Sequence, residues 1–486
     1  MSEQPAAAPV EPSPTSATPA SAYLPPENAA RLDTHALRYQ TGPRRNPTDY
    51  SISLRTKFGT DQQLLRPGPR RQSLRGFEPH YTDIIDFIVR ATHKVWEQKD
   101  VGYIYELYSH RTPVTDDYGL NWGRDPVIAN TAQFINAFPD IRLIADEIIW
   151  AGDDEVGFYT SHRTVLKATH TGFSQFGPPT GRRLQFWLIA NCVSVANEIV
   201  LEHVIYNTTS MLQQMGYDLR AKARELGNQR LQAGALNDPR FGEPARLPGQ
   251  GKPAHLPPST QAGFDVEDFL RRTFHYVWNW RMVGRIGDAY APNVRFYGVT
   301  DRAFYGVGEL QAFVLSMIAA FPDLVFAVDD LYWMGNDAEG YTTATRWSLV
   351  GTHTGPGIYG APTGRRVTMW GITQHVIRNG RITEEWMMFN EFDVLQQLYH
   401  EGGGVSCRSA ALADGIHTLH AQLSTGPVPG RTRASLGAPD RQVHRPARLR
   451  GRPPTAAYGV DRTPDAARDS HRGHRRQCRP AGRFHP

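Results

Sequence analysis

From Asp83 onward the chain sets Ile84, Ile85, Phe87, Ile88, Ala91, Val95 and Trp96 at spacings of three and four, the period of one helix face. Asp83 stands just ahead of this stripe, where a short carboxylate can accept from the free N–H groups of the first turn. The stretch from Arg124 to Ala137 predicts a second helix, ended by Pro139, which cannot donate to a continuing helix and turns its predecessor away from α geometry. The period then changes to two. Ile141–Ala151, Gly157–Thr169, Arg183–Ser194 and Ile199–Asn207 carry β-branched and aromatic residues between Gly, Asn and Asp punctuation, predicting antiparallel strands. A short helix over Met211 to Met215 closes the unit.

The same pattern recurs. Sliding the chain by 183 residues aligns Phe138–Gln214 with Phe321–Gln397 without a gap and with 30 identities in 77 positions. The shared text includes FPD (Phe138 and Phe321), THTG (Thr169 and Thr352) and PTGRR (Pro179 and Pro362). With an offset one residue smaller, Asp83, Asp86 and Phe87 match Asp265, Asp268 and Phe269. Self-similarity at a fixed offset decides architecture before local propensity does. Helices followed by a run of strands are an α+β arrangement, with the helices on one face of a curled antiparallel sheet and a conical pocket between them. The expected organisation is an extended or disordered N-terminal arm over residues 1–80, a first domain over 81–217, a helical extension and Pro/Gly linker over 218–262, a second domain over 263–402 and a disordered basic tail over 403–486.

Charge changes the picture only at one end. The net charge is +5, yet residues 405–486 hold fifteen Arg, no Lys and five Asp, which leaves residues 1–404 with 38 basic and 43 acidic side chains. The domains are mildly acidic, and a specific nucleic-acid partner is not expected. The tail (RPARLRGRPP, HRGHRRQCRP) has the makeup of a basic arm or of a GC-rich gene read out of frame. Cys192, Cys407 and Cys478 form no CxxC pair, so neither a disulfide framework nor a thiolate metal site is expected. No run of about 18 apolar residues and no signal-peptide core occurs, so the expectation is a cytoplasmic protein without a membrane partner.

Arg346–x6–His353–Thr–Gly, then PTGRR, then Gly380–Arg381–Ile382–x–Glu384–Glu385–Trp386–x3–Asn390–x6–Gln397 resembles the SnoaL-like polyketide cyclase family. The first copy keeps Arg163, His170, PTGRR, Glu202, Asn207 and Gln214 but has His203 where the second has Trp386. The resemblance spans residues of about 83–216 and 265–400. It implies two tandem NTF2-like cone-shaped domains that pair as a pseudo-dimer within one chain. It also implies a small-molecule ligand and, for an enzyme, an intramolecular aldol closure without metal or cofactor. In that family an Asp four residues after the Trp is the acid/base. Here that position is Asn207 or Asn390, and an amide neither takes nor gives a proton near neutrality.

Alternation along the last strand puts Ile199, Leu201, His203, Ile205 and Asn207 on one face, and Ile382, Glu384, Trp386, Met388 and Asn390 on the matching one. If that face lines the pocket, His203 and Glu384 are its titratable groups. Gln374 and His375 are adjacent, so at most one of them points inward. The candidate catalytic residues are therefore His203, Glu384 and His375. The candidate ligand-binding residues are Asn207, Asn390, Trp386, Gln374, His170, His353, Trp187 and Trp370. Plainer roles stand beside these: His170 and His353 can tie a loop to the sheet, Arg163 and Arg346 can form interface ion pairs, and the tryptophans can serve as core. The functional readings are a cofactor-free cyclase or isomerase acting on a small apolar carbonyl compound, or a non-catalytic small-molecule-binding module, with an interaction scaffold as a third.

Overall fold

A computed structural model describes residues 46–47, 52–53, 64, 68–232, 255–259 and 263–402. The expectations for residues 1–45 and 403–486, and for the Pro/Gly linker over 233–254, lie outside the described residues.

In the first domain the apolar stripe forms helix α1 (Ile84–Trp96), capped as its sequence predicts by Asp83, which accepts from the Asp86 N–H at 2.9 Å. After a short helix α2 (Ile104–Leu107) come strands β1 (Pro113–Asp116) and β2 (Gly119–Trp122), helix α3 (Arg124–Ala137), and strands β3 (Arg142–Asp153), β4 (Gly157–Thr169), β5 (Arg183–Val195) and β6 (Glu198–Ile205). Helix α4 (Thr208–Met215) closes the domain, and α5 (Leu219–Gln232) leads away from it. The second domain repeats the order with α6 (Val266–Phe274), α7 (Ile286–Ala289), β7 (Tyr290–Gly298), β8 (Ala303–Tyr305), α8 (Val307–Ala320), β9 (Val325–Asn336), β10 (Gly340–Thr352), β11 (Arg366–Arg378), β12 (Arg381–Phe389) and α9 (Glu391–Tyr399). The fold is α+β.

The two sheets have the same topology, β2-β1-β6-β5-β4-β3 and β8-β7-β12-β11-β10-β9. The four long strands of each sheet are antiparallel, and the hairpin ahead of α3 or α8 adds to the last strand in parallel. The periodicity of the sequence pointed to none of these hairpin strands: β1, β2 and β8 have only four, four and three residues, too few for alternation to register, and the longer β7 carries Pro292 near its start. The folded region also begins ahead of residue 81: Leu74, Phe77 and Tyr81 are buried, and Phe77 sets its ring edge on Phe87 and Phe158.

Each sheet has one face toward its own helices and the other toward the partner sheet. Across that second face Tyr159 meets Tyr332, Trp187 meets Tyr297 and His203 meets Trp370, at centroid distances of 6.2, 5.0 and 5.8 Å. Arg163 lies at the centre, almost fully buried. Its Nε donates to Asp146 at 2.7 Å, its Nη1 donates to Gln374 at 2.5 Å, and its guanidinium covers the Trp386 ring at 3.6 Å. The second copy repeats the pair as Arg346 and Asp329 at 3.7 Å. The two domains thus pack sheet to sheet. Helix α5 then crosses to α9, where Gly227 lies so close to the Gln396 carbonyl that a Cβ would sit 3.0 Å from that oxygen.

Candidate active site

Helices α1 and α3 and the concave face of the first sheet enclose a chamber of about 100 Å³. Along the long strands it is lined by Leu143 on β3, His162, Thr164 and Leu166 on β4, Leu188, Ala190 and Cys192 on β5, and Ile199, Glu202 and Val204 on β6, followed by Tyr206. On β4, on β5 and on β6 beyond the register shift after Ile199 these are the even positions. Alternation along β6 therefore holds beyond that shift, but the face inferred to line the pocket is the one that packs on the other domain. Both faces of these strands are buried and both mix apolar with polar residues, one against helices and one against a second sheet, so the pattern alone does not tell inside from outside.

Glu202 is the centre of the chamber's chemistry. Tyr108 donates to its Oε2 at 2.9 Å, and the Cys192 thiol lies 3.8 Å from its Oε1. Burial, with the charge of Asp116 adding to it, lifts the Glu202 carboxyl to about 7 against the Tyr108 hydrogen bond. Asp116 sits at the neck. Its Oδ1 accepts from the N–H groups of Tyr118 and Gly119 at 2.8 and 3.0 Å and its Oδ2 from the Asn121 amide at 3.2 Å, while burial raises it to about 6. The His162 ring is buried and pushed down to about 3 by desolvation, so it is neutral at physiological pH. Its Nε2 and the Thr164 hydroxyl have no hydrogen-bond partner among the described residues. Two carboxyl groups poised near neutrality beside a neutral imidazole in an apolar chamber are the equipment of general acid–base chemistry.

Beyond the neck the chamber meets a wider cleft of about 530 Å³, with Trp96, Asp116, Asn121, Asn130, Phe134 and Tyr206 common to both.

The second domain keeps part of this set. Glu385 matches Glu202, and Tyr290 hydrogen-bonds to it as Tyr108 does to Glu202. His375 takes the place of Cys192, with its Nε2 4.0 Å from Glu385. Burial raises Glu385 to about 7 and lowers His375 to about 3. Among the described residues, however, the void beside Glu385 measures only about 10 Å³, barely one water. Three exchanges account for this. Thr164 becomes Trp347, Leu143 becomes Phe326, and Leu188 becomes Gly371. The Trp347 indole stacks on Phe326 at 4.9 Å and donates to Thr373 at 2.9 Å, over a position where a Cβ on Gly371 would stand 2.4 Å from its ring.

The other sequence candidates fall elsewhere. His203, Trp187, Trp370, Trp386 and Gln374 lie on the face between the sheets, not in the chamber. Glu384 pairs with Arg295 while its neighbour Glu385 points inward, an inversion with the same cause as that of His203. Of the adjacent pair, His375 points into its domain, where its Nδ1 meets Thr343 at 3.0 Å. Asn207, at φ 54°, donates to the Trp187 carbonyl and accepts from Ser210 and from the Thr300 N–H of the other domain. Asn390 accepts from the Trp370 N–H and donates to Asp393. Both amides stitch a strand end to a helix. His170 and His353 accept the N–H of Thr180 and Thr363 at 3.2 Å, tying loop to sheet.

Sequence reading passed over Asp116, His162 and Tyr108 and noted Glu202 only as shared text. A signal for Asp116 was present in VTDDYGLNW, a turn of Asp and Gly between apolar alternations.

Residues 269–398 match the model of a family described as SnoaL-like polyketide cyclase. Among solved structures, AclR from Streptomyces galilaeus is 20% identical, over 33% of this chain and 97% of its own, with a TM-score of 0.25. TsrD from Streptomyces laurentii is 19% identical over 27% and 93%, with a TM-score of 0.24. A SnoaL-like polyketide cyclase from Agrobacterium tumefaciens strain C58 is 19% identical over 27% and 96%, with a TM-score of 0.23. No curated protein matches the chain. Among the described residues no helix is long and apolar enough to cross a membrane. Over residues 269–398 the second domain thus matches the SnoaL-like polyketide cyclase family model, and the first domain repeats its strand order.

Proposed function

We propose that the first domain catalyses cofactor-free proton transfer on a small, largely apolar carbonyl compound, an aldol cyclisation or isomerisation, and that the second domain is its structural partner. The observation that carries this reading is Glu202, buried at the chamber wall with a carboxyl raised to about 7. A base works best when its pKa lies near the operating pH, because it is then both ionised and basic enough to take a proton. In this scheme Glu202 removes the proton α to the carbonyl. Tyr108 donates to the other carboxylate oxygen and fixes its orientation. Negative charge moves to the carbonyl oxygen, where the neutral His162 and the Thr164 hydroxyl supply donors not already committed. Glu202 then returns its proton to the alkoxide of the closed ring or to the shifted carbon. No amide is asked to move a proton, so the absence of Asp at Asn207 and Asn390 is no obstacle.

The experiment is α-proton exchange of aryl methyl ketones and β-keto esters in D2O, followed by NMR. The wild type should label its best substrate, and Glu202→Gln should lower that rate by about 10²–10⁴-fold. Equal rates in the two proteins would refute the assignment.

A further inference from the structure

Among the described residues Arg230 is the sole cationic side chain lining the outer cleft, and Asp116 the sole carboxylate. Arg230 does not come from the body of the first domain. It is carried by α5 and held by α9 of the second domain: its Nη1 donates to Asp393 at 2.5 Å and to Gln396 at 2.8 Å. Asp393 is itself fully buried, and its other oxygen accepts from Asn390 at 3.1 Å and Gln397 at 2.9 Å, so the anchor is rigid. The Nη2 of Arg230 is buried and has no hydrogen-bond partner among the described residues. A guanidinium presents five N–H donors in a fixed fork, and leaving one buried and unmatched is costly. Aromatic planes of Trp96, Phe134 and Tyr206 and the amide of Gln175 line the same cleft. A planar apolar body that ends in an oxygen acceptor fits this lining, and a carboxylate oxygen can take the Nη2 donor that Asp393 and Gln396 leave unmatched, in a charge-assisted hydrogen bond.

We infer that Arg230 binds the carboxylate of the substrate, which makes the substrate class a flat keto acid: carbonyl end in the chamber at Glu202, acid end in the cleft at Arg230. This rests on the proton-transfer reading for its carbonyl half only. It also gives the second domain a task, because Asp393 and Gln396 aim a residue that the first domain lacks. Arg230 is on this account a specificity-determining residue, not an acid or base.

The test measures binding of 6-acetyl-2-naphthoate and of its methyl ester to the full chain, by quenching of tryptophan emission, since Trp96 and Trp122 line the cleft. The wild type should hold the acid at least about tenfold tighter than the ester, the loss expected when a charge-assisted hydrogen bond goes unmade. Arg230→Gln should abolish that preference while leaving ester affinity as it was, and Arg230→Lys should restore part of it. Glu202→Gln should keep the preference, so failure of the base assignment and failure of the acid site read out separately. If Arg230→Gln does not fold, the wild-type preference and its partial retention in Arg230→Lys decide. Equal affinity of the wild type for acid and ester, a preference that survives in Arg230→Gln, or no binding of either compound at millimolar concentration would overturn the inference.

Discussion

The two domains share a topology, a buried Tyr–Glu pair and 30 identities, yet one encloses a chamber of about 100 Å³ and the other about 10 Å³. The difference lies in a few interior side chains, not in the backbone. Trp347 needs the room that Gly371 leaves, and where Leu188 stands instead the smaller Thr164 is the residue that fits. Close packing makes such exchanges compensatory, since an interior tolerates neither a gap nor an overlap. A duplicated fold can therefore keep its sheet-to-sheet interface twice and its pocket once. The titratable pair is retained in both copies, which shows that a buried glutamate of raised pKa is by itself no mark of a site; the space beside it is what differs.

The strongest way to break this comparison is to exchange the interiors. Thr164→Trp with Leu188→Gly in the first domain should fill the chamber and lower α-proton exchange by more than about 100-fold, as loss of the positioned base would, while circular dichroism stays native. Exchange that survives would locate the chemistry elsewhere. The reverse change, Trp347→Thr, empties a packed core and should cost about 3–5 kcal/mol in urea unfolding; added indole, which fits the void, should restore part of it. Arg163→Met tests the shared interface. It leaves Asp146 without its cation at the centre of the interface and should cost about 2–3 kcal/mol.

A smaller effect sharpens the electrostatic side. Glu202 binds its proton more tightly folded, near 7, than at its ordinary value of 4.5. The folded state thus holds the proton between those values while the unfolded state loses it, and stability falls as pH rises from 4.5 to 7. Glu202→Gln lacks this loss. Its stability relative to the wild type should grow across that window to about 3 kcal/mol and level off above it; a difference independent of pH would disprove the raised carboxyl. Activity runs the other way: it needs the carboxylate and should rise with pH to a plateau above 7. The smallest expected change is from His203→Gln and Glu384→Gln, which lie outside the chamber and should alter exchange by less than about threefold.

Much of the fold was legible because it depends on period and punctuation. The bounds of α3 and β4 are those that the sequence predicted, since Pro139 and the Gly157 turn end elements by covalent geometry. The candidate site was less legible, and the reason is the same at each position. His203 and Glu202 are neighbours on one strand, as are Glu384 and Glu385, and alternation separates each pair without naming the inner member. Asp116 was missed because it belongs to a four-residue strand that pairs with β6 only in the folded sheet. Arg230 was unreadable as a cleft residue, because what aims it is Asp393, 163 positions away in sequence.

The amino-acid sequence by itself determined the duplication, the α+β order within each copy, the helix caps and stops, and the family resemblance, since all of these are relations between residues close in sequence or at a constant offset. Which face of each sheet is inside, which copy has room for a ligand, and which distant side chains meet at its mouth were decided only by the tertiary structure. Those are properties of volume and of apposed surfaces, and a chain acquires them only when two sheets have packed and each interior has been filled or left open.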